Sequence, residues 1–164
     1  TSDSGFNLTA TAKRDDLRFI SVIMGSESSK QRNQDTSSLL DYGFINYKLV
    51  KLYEEGDIIT THTFEDSKSQ NTKIIAKEDI TYLLRKNENP KSLTIQVEIE
   101  TQKAPINKEY SIAKITIIHH PSNDQVYFNL YAQDNVDKIS YIELVIKYWK
   151  ALMKLALFPI LLKI

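Results

Sequence analysis

Ser111 and Lys114 form the first pair of residues whose types and spacing suggest chemistry. On a helix, residues three apart share a face, so a lysine amine could activate a serine hydroxyl for nucleophilic acyl transfer. The apolar pattern of residues 112–119 predicts a β-strand instead. Side chains three apart in a strand point to opposite faces, so the sequence argues against this pair as nucleophile and base.

The sequence contains no pattern that indicates thiol or metal chemistry. The chain contains no cysteine, which excludes disulfides, thiolate zinc sites and cysteine nucleophiles. His119 and His120 are adjacent in a predicted strand and therefore face opposite ways, and His62 lacks a matching cluster of ligands. We therefore expect no metal and no other cofactor.

The composition is typical of a globular protein, with 41% hydrophobic and 26% charged residues. The formal net charge is +0, so no overall field would attract nucleic acid, and no nucleic-acid partner is expected. The charge is unevenly spread, because residues 141–164 contain four lysines and one glutamate. This basic and apolar tail needs an explanation of its own.

The first 25 residues predict a β-hairpin. Apolar and polar residues alternate from Phe6 to Lys13, and Arg14-Asp15-Asp16 forms a polar turn. The segment from Leu17 to Met24 is apolar on both faces, as expected of a central strand covered on two sides.

A helix is predicted to follow the hairpin. Ser28 or Ser29 is a suitable N-cap, and Gln31 is placed to complete a capping box with Ser28. The helix is expected to end by about Leu52. Its inward stripe at helical spacing is Thr36, Leu39, Leu40, Gly43, Phe44 and Tyr47.

Short β segments separated by polar turns make up residues 58–132 and predict a small sandwich or barrel. Leu93–Ile99 shows the strictest alternation of apolar and polar residues. The complete predicted set is 58–64, 73–76, 80–84, 93–99, 112–119 and 126–132.

The tail predicts an amphipathic helix that lies on a membrane surface. At about 100° per residue, Glu143 and three lysines fall within an arc of roughly 60°, and the remaining face is apolar or aromatic. The longest uncharged run, residues 155–162, is too short to span a bilayer. The expected membrane-binding residues are Lys147, Tyr148, Trp149, Lys150 and Lys154. The alternative is a helix that packs on the protein's own core.

Five stretches near the start of the chain carry a resemblance to a known family. They read TSDSGFNL (1–8), ATAKR (10–14), LRFISVIMG (17–25), KQRN (30–33) and LLDYGF (39–44). Together they resemble the segment just after the Lys-Thr-Gly motif in low-molecular-mass penicillin-binding proteins of the D-alanyl-D-alanine carboxypeptidase type. The resemblance covers residues 1 to about 52, and the β-rich segment and the amphipathic tail agree with the organisation of that family.

The resemblance implies an α+β fold in three parts. Residues 1–52 would be the end of a penicillin-binding, transpeptidase-like domain, residues 53–136 a small all-β sandwich, and residues 137–164 an amphipathic anchoring helix. Because the hairpin and the first helix would form only part of a core, they are expected to expose apolar surface or to pack against a partner. The chain would begin just after the Lys-Thr-Gly strand of a longer protein.

The resemblance also implies an activity. In this family a serine attacks the bond between the last two D-alanines of the peptidoglycan stem peptide, and β-lactams acylate the same serine. The stem peptide, β-lactams and the membrane surface are therefore the expected partners, at the outer face of the bacterial cytoplasmic membrane. Ser69-Gln70-Asn71 matches the family's Ser-x-Asn pattern but lies in a predicted polar loop outside the resembling region. Without the serine nucleophile, this chain alone is expected to be inactive.

Arg32 is the residue to which the resemblance assigns a role. It lies in the first turn of the predicted helix, where a cation opposes the helix dipole, so an anionic partner would explain it. The arginine at the matching family position helps to hold the terminal carboxylate of the substrate. The alternatives are an arginine that turns to solvent or pairs with Asp35. Thr1 is a weaker candidate for substrate binding.

Two other functions are compatible with the sequence. A non-enzymatic, membrane-associated β-sandwich that binds or scaffolds other molecules would need no catalytic domain. A relative of class A β-lactamases would share the first fold, but such enzymes lack the β-rich segment and the tail.

Overall fold

The computed structural model describes residues 4–161, without the side chains of residues 147, 151 and 154–161. It confirms a mixed α+β fold that consists mostly of strands. The elements in chain order are β1 (Phe6–Arg14), β2 (Leu17–Ser26), α1 (Ser29–Asn46), β3 (Tyr47–Tyr53), β4 (Ile58–His62), β5 (Thr72–Ala76), β6 (Ile80–Arg85), a short 3-10 helix (Pro90–Ser92), β7 (Leu93–Ile99), β8 (Ser111–His119), β9 (Asp124–Ala132) and α2 (Tyr141–Leu161).

The strands form three sheets in the described part of the chain. Two are antiparallel pairs, β1-β2 and β3-β6, and the third has five strands in the order β4-β5-β9-β8-β7. All six β segments predicted between residues 58 and 132 are present as strands.

The chain divides into two compact units, which we number in the order in which the chain enters them. Unit 1 comprises Thr1–Glu54, Asp79–Gln96 and Thr116–Tyr127, and its core includes Phe44, Ile80, Tyr82, Leu84 and Ile117. Unit 2 comprises Glu55–Glu78, Val97–Ile115 and Phe128–Ile164, and its core includes Phe64, Ile74, Ala76, Ile115 and Leu130.

The predicted hairpin is confirmed, with Thr11 opposite Ile20 and Arg14 opposite Leu17. Asp15 occupies the turn with a φ of 52°, a left-handed conformation that aspartate tolerates better than most residues.

The prediction that β2 is covered on both faces is wrong for the described chain. Ile20, Val22 and Met24 on one face of β2 are 68%, 57% and 78% exposed, whereas Ser21 on the other face is buried. The described chain covers β2 only on its α1 side, which agrees with the expectation that this part exposes apolar surface.

Helix α1 begins as predicted but ends earlier. The Ser28 hydroxyl accepts a hydrogen bond from the backbone N–H of Gln31 at 3.1 Å, so the N-cap is confirmed. The second half of the predicted capping box is wrong, because the Gln31 amide donates to Asp35 instead. Of the predicted inward stripe, Leu39 is exposed.

Residues 47–53 form strand β3 rather than the last turns of α1. Tyr47 has an extended backbone, with φ −116° and ψ 154°, and its N–H caps the helix by donating to the Gly43 carbonyl. The strand pairs with β6, which places Leu49 opposite Leu83 and Tyr47 opposite Arg85. The aromatic and β-branched residues of this segment favour a strand once a partner strand is available.

Candidate functional site

Arg32 lies half-buried in the first turn of α1. Its guanidinium donates two hydrogen bonds to the Asn33 side-chain oxygen, at 3.1 and 2.9 Å. Arg32 does not pair with Asp35, whose carboxylate accepts a hydrogen bond from the Gln31 side-chain amide at 2.7 Å. No acidic residue lies in the first turn of α1. Arg32 therefore has a neutral local partner and remains available to an external anion.

Helix α1 is held on the hairpin by an aromatic cluster of Phe19, Phe44 and Tyr47. The Phe19 ring lies 5.1 Å from the Phe44 ring and 6.2 Å from the Tyr47 ring, both in edge-on geometry. The Arg14 guanidinium stacks 4.4 Å above Phe44 and pairs with Asp41 at 2.8 Å. These contacts fix the helix that carries Arg32 relative to β2.

Ser111 and Lys114 do not form a catalytic pair. Both lie on strand β8, as the sequence predicts. The Ser111 hydroxyl donates to the carbonyl of Ala113, and the Lys114 amine pairs with Glu100 at 2.9 Å. Each group therefore has its own partner.

His119 is a buried residue of unit 1 for which the sequence predicted no role. It is 5% exposed, its Nδ1 lies 2.9 Å from the Ser122 hydroxyl, and its Nε2 has no hydrogen-bond partner in the described chain. The nearest carboxylate oxygen to Nε2, Oε2 of Glu88, is 3.7 Å away. Burial raises the pKa of the adjacent Tyr82, and the Asp124 and Glu88 carboxylates add to that effect. His120 is exposed, but β8 ends at His119 and His120 lies in the turn that follows, so the prediction that both histidines lie in one strand is wrong.

Ser69-Gln70-Asn71 lies in a loop, as predicted, and this loop lines a cleft of unit 2. The cleft has a volume of about 430 Å³ and runs between residues 63–71 and the first turns of α2. Two hydrogen bonds tie the loop to the segment before α2. Lys68 N–H donates to the Asp137 carbonyl at 3.1 Å, and Ile139 N–H donates to the Asp66 carbonyl at 2.7 Å.

The start of α2 is anchored by Glu143. The backbone N–H of Ser140 donates to the Glu143 carboxylate at 2.9 Å, and the N–H of Glu143 donates to the Ser140 hydroxyl at 3.3 Å, which makes a capping box. The Lys68 amine pairs with Glu143 at 3.2 Å. Hydrogen bonds from the Ser140 backbone and hydroxyl lower the pKa of Glu143, and Lys68 lowers it further.

The predicted membrane-binding residues fall on α2. Tyr148 and Trp149 are 65% and 66% exposed, and Lys150 is also exposed. The side chains of Lys147 and Lys154, and the whole of Thr1, lie outside the described residues. Within residues 4–161, none of the helices combines the length and the apolar character needed to cross a bilayer.

Known proteins with similar sequences and folds are cell-wall enzymes. The chain is 25% identical over 118 residues to the D-alanyl-D-alanine carboxypeptidase DacF of Bacillus subtilis, covering 71% of this chain and 30% of that protein. It is 31% identical over 90 residues to DacD of Escherichia coli, covering 55% and 23%. The crystal structure of penicillin-binding protein 5 from Haemophilus influenzae matches with a TM-score of 0.72 and 26% identity, over 84% of this chain and 40% of that chain.

These relatives place the chain among homologues of D-alanyl-D-alanine carboxypeptidases. Residues 47–138, more than half of the chain, match the family described as the penicillin-binding protein 5 C-terminal domain. The chain belongs to this family. It spans less than half of the length of each relative named above.

Proposed function

We propose that the chain is part of a serine-type D-Ala-D-Ala carboxypeptidase that removes the terminal D-alanine from peptidoglycan stem peptides through an acyl-enzyme. The homology to carboxypeptidases supports this role. The observation that carries it is the exposed apolar face of β2, formed by Ile20, Val22 and Met24. A hairpin with one covered and one exposed apolar face suits a sheet whose exposed face packs against further elements of a larger catalytic domain, because apolar area is stabilising only when it is removed from water.

In this proposal the three parts of the chain have separate roles. Residues 1–52 complete the peptidase domain, residues 53–136 form the small β domain, and residues 137–164 attach the protein peripherally to the outer face of the bacterial cytoplasmic membrane. The exposed Tyr148, Trp149 and Lys150 support the last role, since aromatic rings and cations favour the membrane interface.

Arg32 is the residue that we propose binds substrate. A guanidinium donates two parallel hydrogen bonds to a carboxylate, and the same two nitrogens now bind the neutral Asn33 oxygen. A substrate carboxylate would replace that neutral acceptor with a charged one. Thr1, which lies outside the described residues, is the weaker candidate for substrate binding.

The Arg32 proposal is tested by steady-state kinetics on the native protein with a peptide that ends in D-Ala-D-Ala. Arg32→Ala is expected to lower kcat/KM by about 10- to 100-fold, because a charge-assisted hydrogen-bonded pair is worth about 1.5–3 kcal/mol. Lys30→Ala, which removes a neighbouring cation in the same turn, serves as the matched control and should change kcat/KM less than about twofold. Equal effects of the two substitutions would contradict a specific role for Arg32.

Membrane attachment is tested by sedimentation with liposomes that contain anionic lipid. The chain of residues 1–164 is expected to sediment with the liposomes, and the chain without residues 141–164 to remain in the supernatant. Added salt should weaken binding, because each lysine near the surface contributes about 1 kcal/mol of screened attraction. Equal sedimentation of both chains would refute the anchor.

A further inference from the structure

The cleft between residues 63–71 and α2 belongs to unit 2, and its position is set by contacts that do not involve the proposed peptidase function. Glu65 is held by a parallel bridge to Lys103, and Ser67 by an antiparallel bridge to Lys138. Asn71 closes the loop by donating its N–H to the Thr63 hydroxyl at 3.3 Å. Because both ends and the middle of the loop are tied down, the cleft is largely preformed, as small-molecule sites usually are.

Four of the polar side chains that line this cleft are neutral and have no hydrogen-bond partner in the described chain. Within residues 4–161, the side chains of Ser69, Gln70, Asn71 and Tyr148 line the cleft and make no hydrogen bond to the protein. Hydroxyl and amide groups both donate and accept hydrogen bonds. The cleft therefore presents several neutral donors and acceptors that only water or a ligand can satisfy.

The charged groups of the cleft do not favour an ionic ligand. Its two carboxylates are already paired, Glu65 with Lys103 at 3.2 Å and Asp66 with Lys138 at 3.8 Å. None of its described lining residues is a lysine or an arginine. Among the described lining side chains, a phosphate or carboxylate group would find no cation, and a cationic ligand would have to displace an existing partner.

The remaining surface of the cleft is apolar. Phe64, which is 2% exposed, Ile139 and Leu144 contribute to it, and the Tyr148 ring lies on the same side as Leu144 along α2. The volume of about 430 Å³ falls in the range of about 300–1,000 Å³ that is usual for small ligands. The ligand that fits is neutral, carries several hydroxyl groups and an amide, and has an apolar face.

We propose that the cleft formed by residues 63–71 and the first two turns of α2 binds an N-acetylated hexosamine. The ring hydroxyls and the acetamido group match the free Ser69 and Tyr148 hydroxyls and the Gln70 and Asn71 amides. The acetyl methyl and the ring C–H face pack against Leu144, Ile139 and the Tyr148 ring. The site does not include Arg32. A negative result for sugar binding would therefore leave the proposed peptidase role unaffected.

The proposal is tested by following backbone amide resonances of the 164-residue chain during titration with N,N′-diacetylchitobiose. Saturable shifts are expected at residues 63–71 and 139–148, with a Kd on the order of 1 mM. Cellobiose carries a hydroxyl group in place of each acetamido group and is expected to bind at least about fivefold more weakly. Absence of saturable shifts, or equal affinity for the two sugars, would overturn the proposal.

The double variant Gln70→Ala/Asn71→Gly removes both amides without straining the loop. Asn71 has a φ of 63°, which glycine adopts freely. The variant is expected to bind diacetylchitobiose about tenfold more weakly than the wild type. Gln133→Ala is the matched control, because Gln133 is an exposed glutamine of the same unit that does not line the cleft. Wild-type affinity in the double variant, or an equal loss in the control, would contradict the site.

Discussion

Substitution of Gly43 by alanine tests the packing of α1 on the hairpin most sharply. A Cβ atom at position 43 would lie 2.9 Å from Cδ2 and 3.0 Å from Cε2 of Phe19, closer than carbon atoms approach without movement. The Phe19 ring cannot turn away freely, because the rings of Phe44 and Tyr47 contact it at 5.1 and 6.2 Å between centroids.

Two opposing effects determine the expected magnitude. Alanine is favoured over glycine inside a helix by about 1 kcal/mol. Overpacking a filled core costs about 1–3 kcal/mol, and the upper part of that range applies where the ring that must move is itself enclosed. We expect Gly43→Ala to lower the free energy of unfolding by about 1–2 kcal/mol.

The measurement is urea unfolding followed by far-ultraviolet circular dichroism, with Phe19→Leu as a second background. The smaller leucine leaves room for the new methyl group, so Gly43→Ala should stabilise the Phe19→Leu protein by up to about 1 kcal/mol. Ser38→Ala, at an exposed position of the same helix, reports the helix preference alone. Stabilisation by Gly43→Ala in the wild-type background would refute the predicted contact with Phe19.

Three further predictions concern buried and charged groups. Ser21 is buried and its hydroxyl has no partner in the described chain, so Ser21→Ala should raise the free energy of unfolding by about 1 kcal/mol in urea titrations; a loss of similar size would contradict this. The pKa of Glu143 is lowered by hydrogen bonds from Ser140, so the stabilising effect of this carboxylate is present above the ordinary carboxyl pKa and is lost as pH falls through the lowered value. Between about pH 7 and about pH 3 the wild type should therefore lose more stability than Glu143→Gln. Parallel curves of unfolding free energy against pH for the two proteins would refute this prediction. The hydrogen bond to Asp79 raises the pKa of Lys51, so the stability advantage of the wild type over Lys51→Met should be fully present below the ordinary lysine pKa. It should decline above that pKa and be lost as pH rises through the raised value; an advantage that grows with pH would contradict this.

The sequence predicted those elements whose boundaries depend on contacts between residues close together in the chain. Ser28 marks the start of α1 because its hydroxyl satisfies a free N–H of the first turn. Leu93–Ile99 is a strand, as its alternation predicts. Burial alternates along β8 from Lys114 to His119, as the period-two pattern requires.

Features that depend on contacts distant in the sequence could not be predicted in the same way. The segment Tyr47–Tyr53 is compatible with a helix or a strand, and its pairing with β6 decides the outcome. The cleft of unit 2 requires the hydrogen bond between Lys68 and Asp137, which no local pattern indicates. Nε2 of His119 has no hydrogen-bond partner in the described chain, and this likewise depends on the position of Glu88.

The central claim is that the hairpin and α1 complete a catalytic domain, and the native protein tests it directly. The measurement is the intact mass of the protein purified from its own cells with an antibody against this chain, before and after treatment with a β-lactam. We expect a product much heavier than 18.9 kDa that gains the mass of one β-lactam. A native product of 18.9 kDa that gains no β-lactam would contradict the claim.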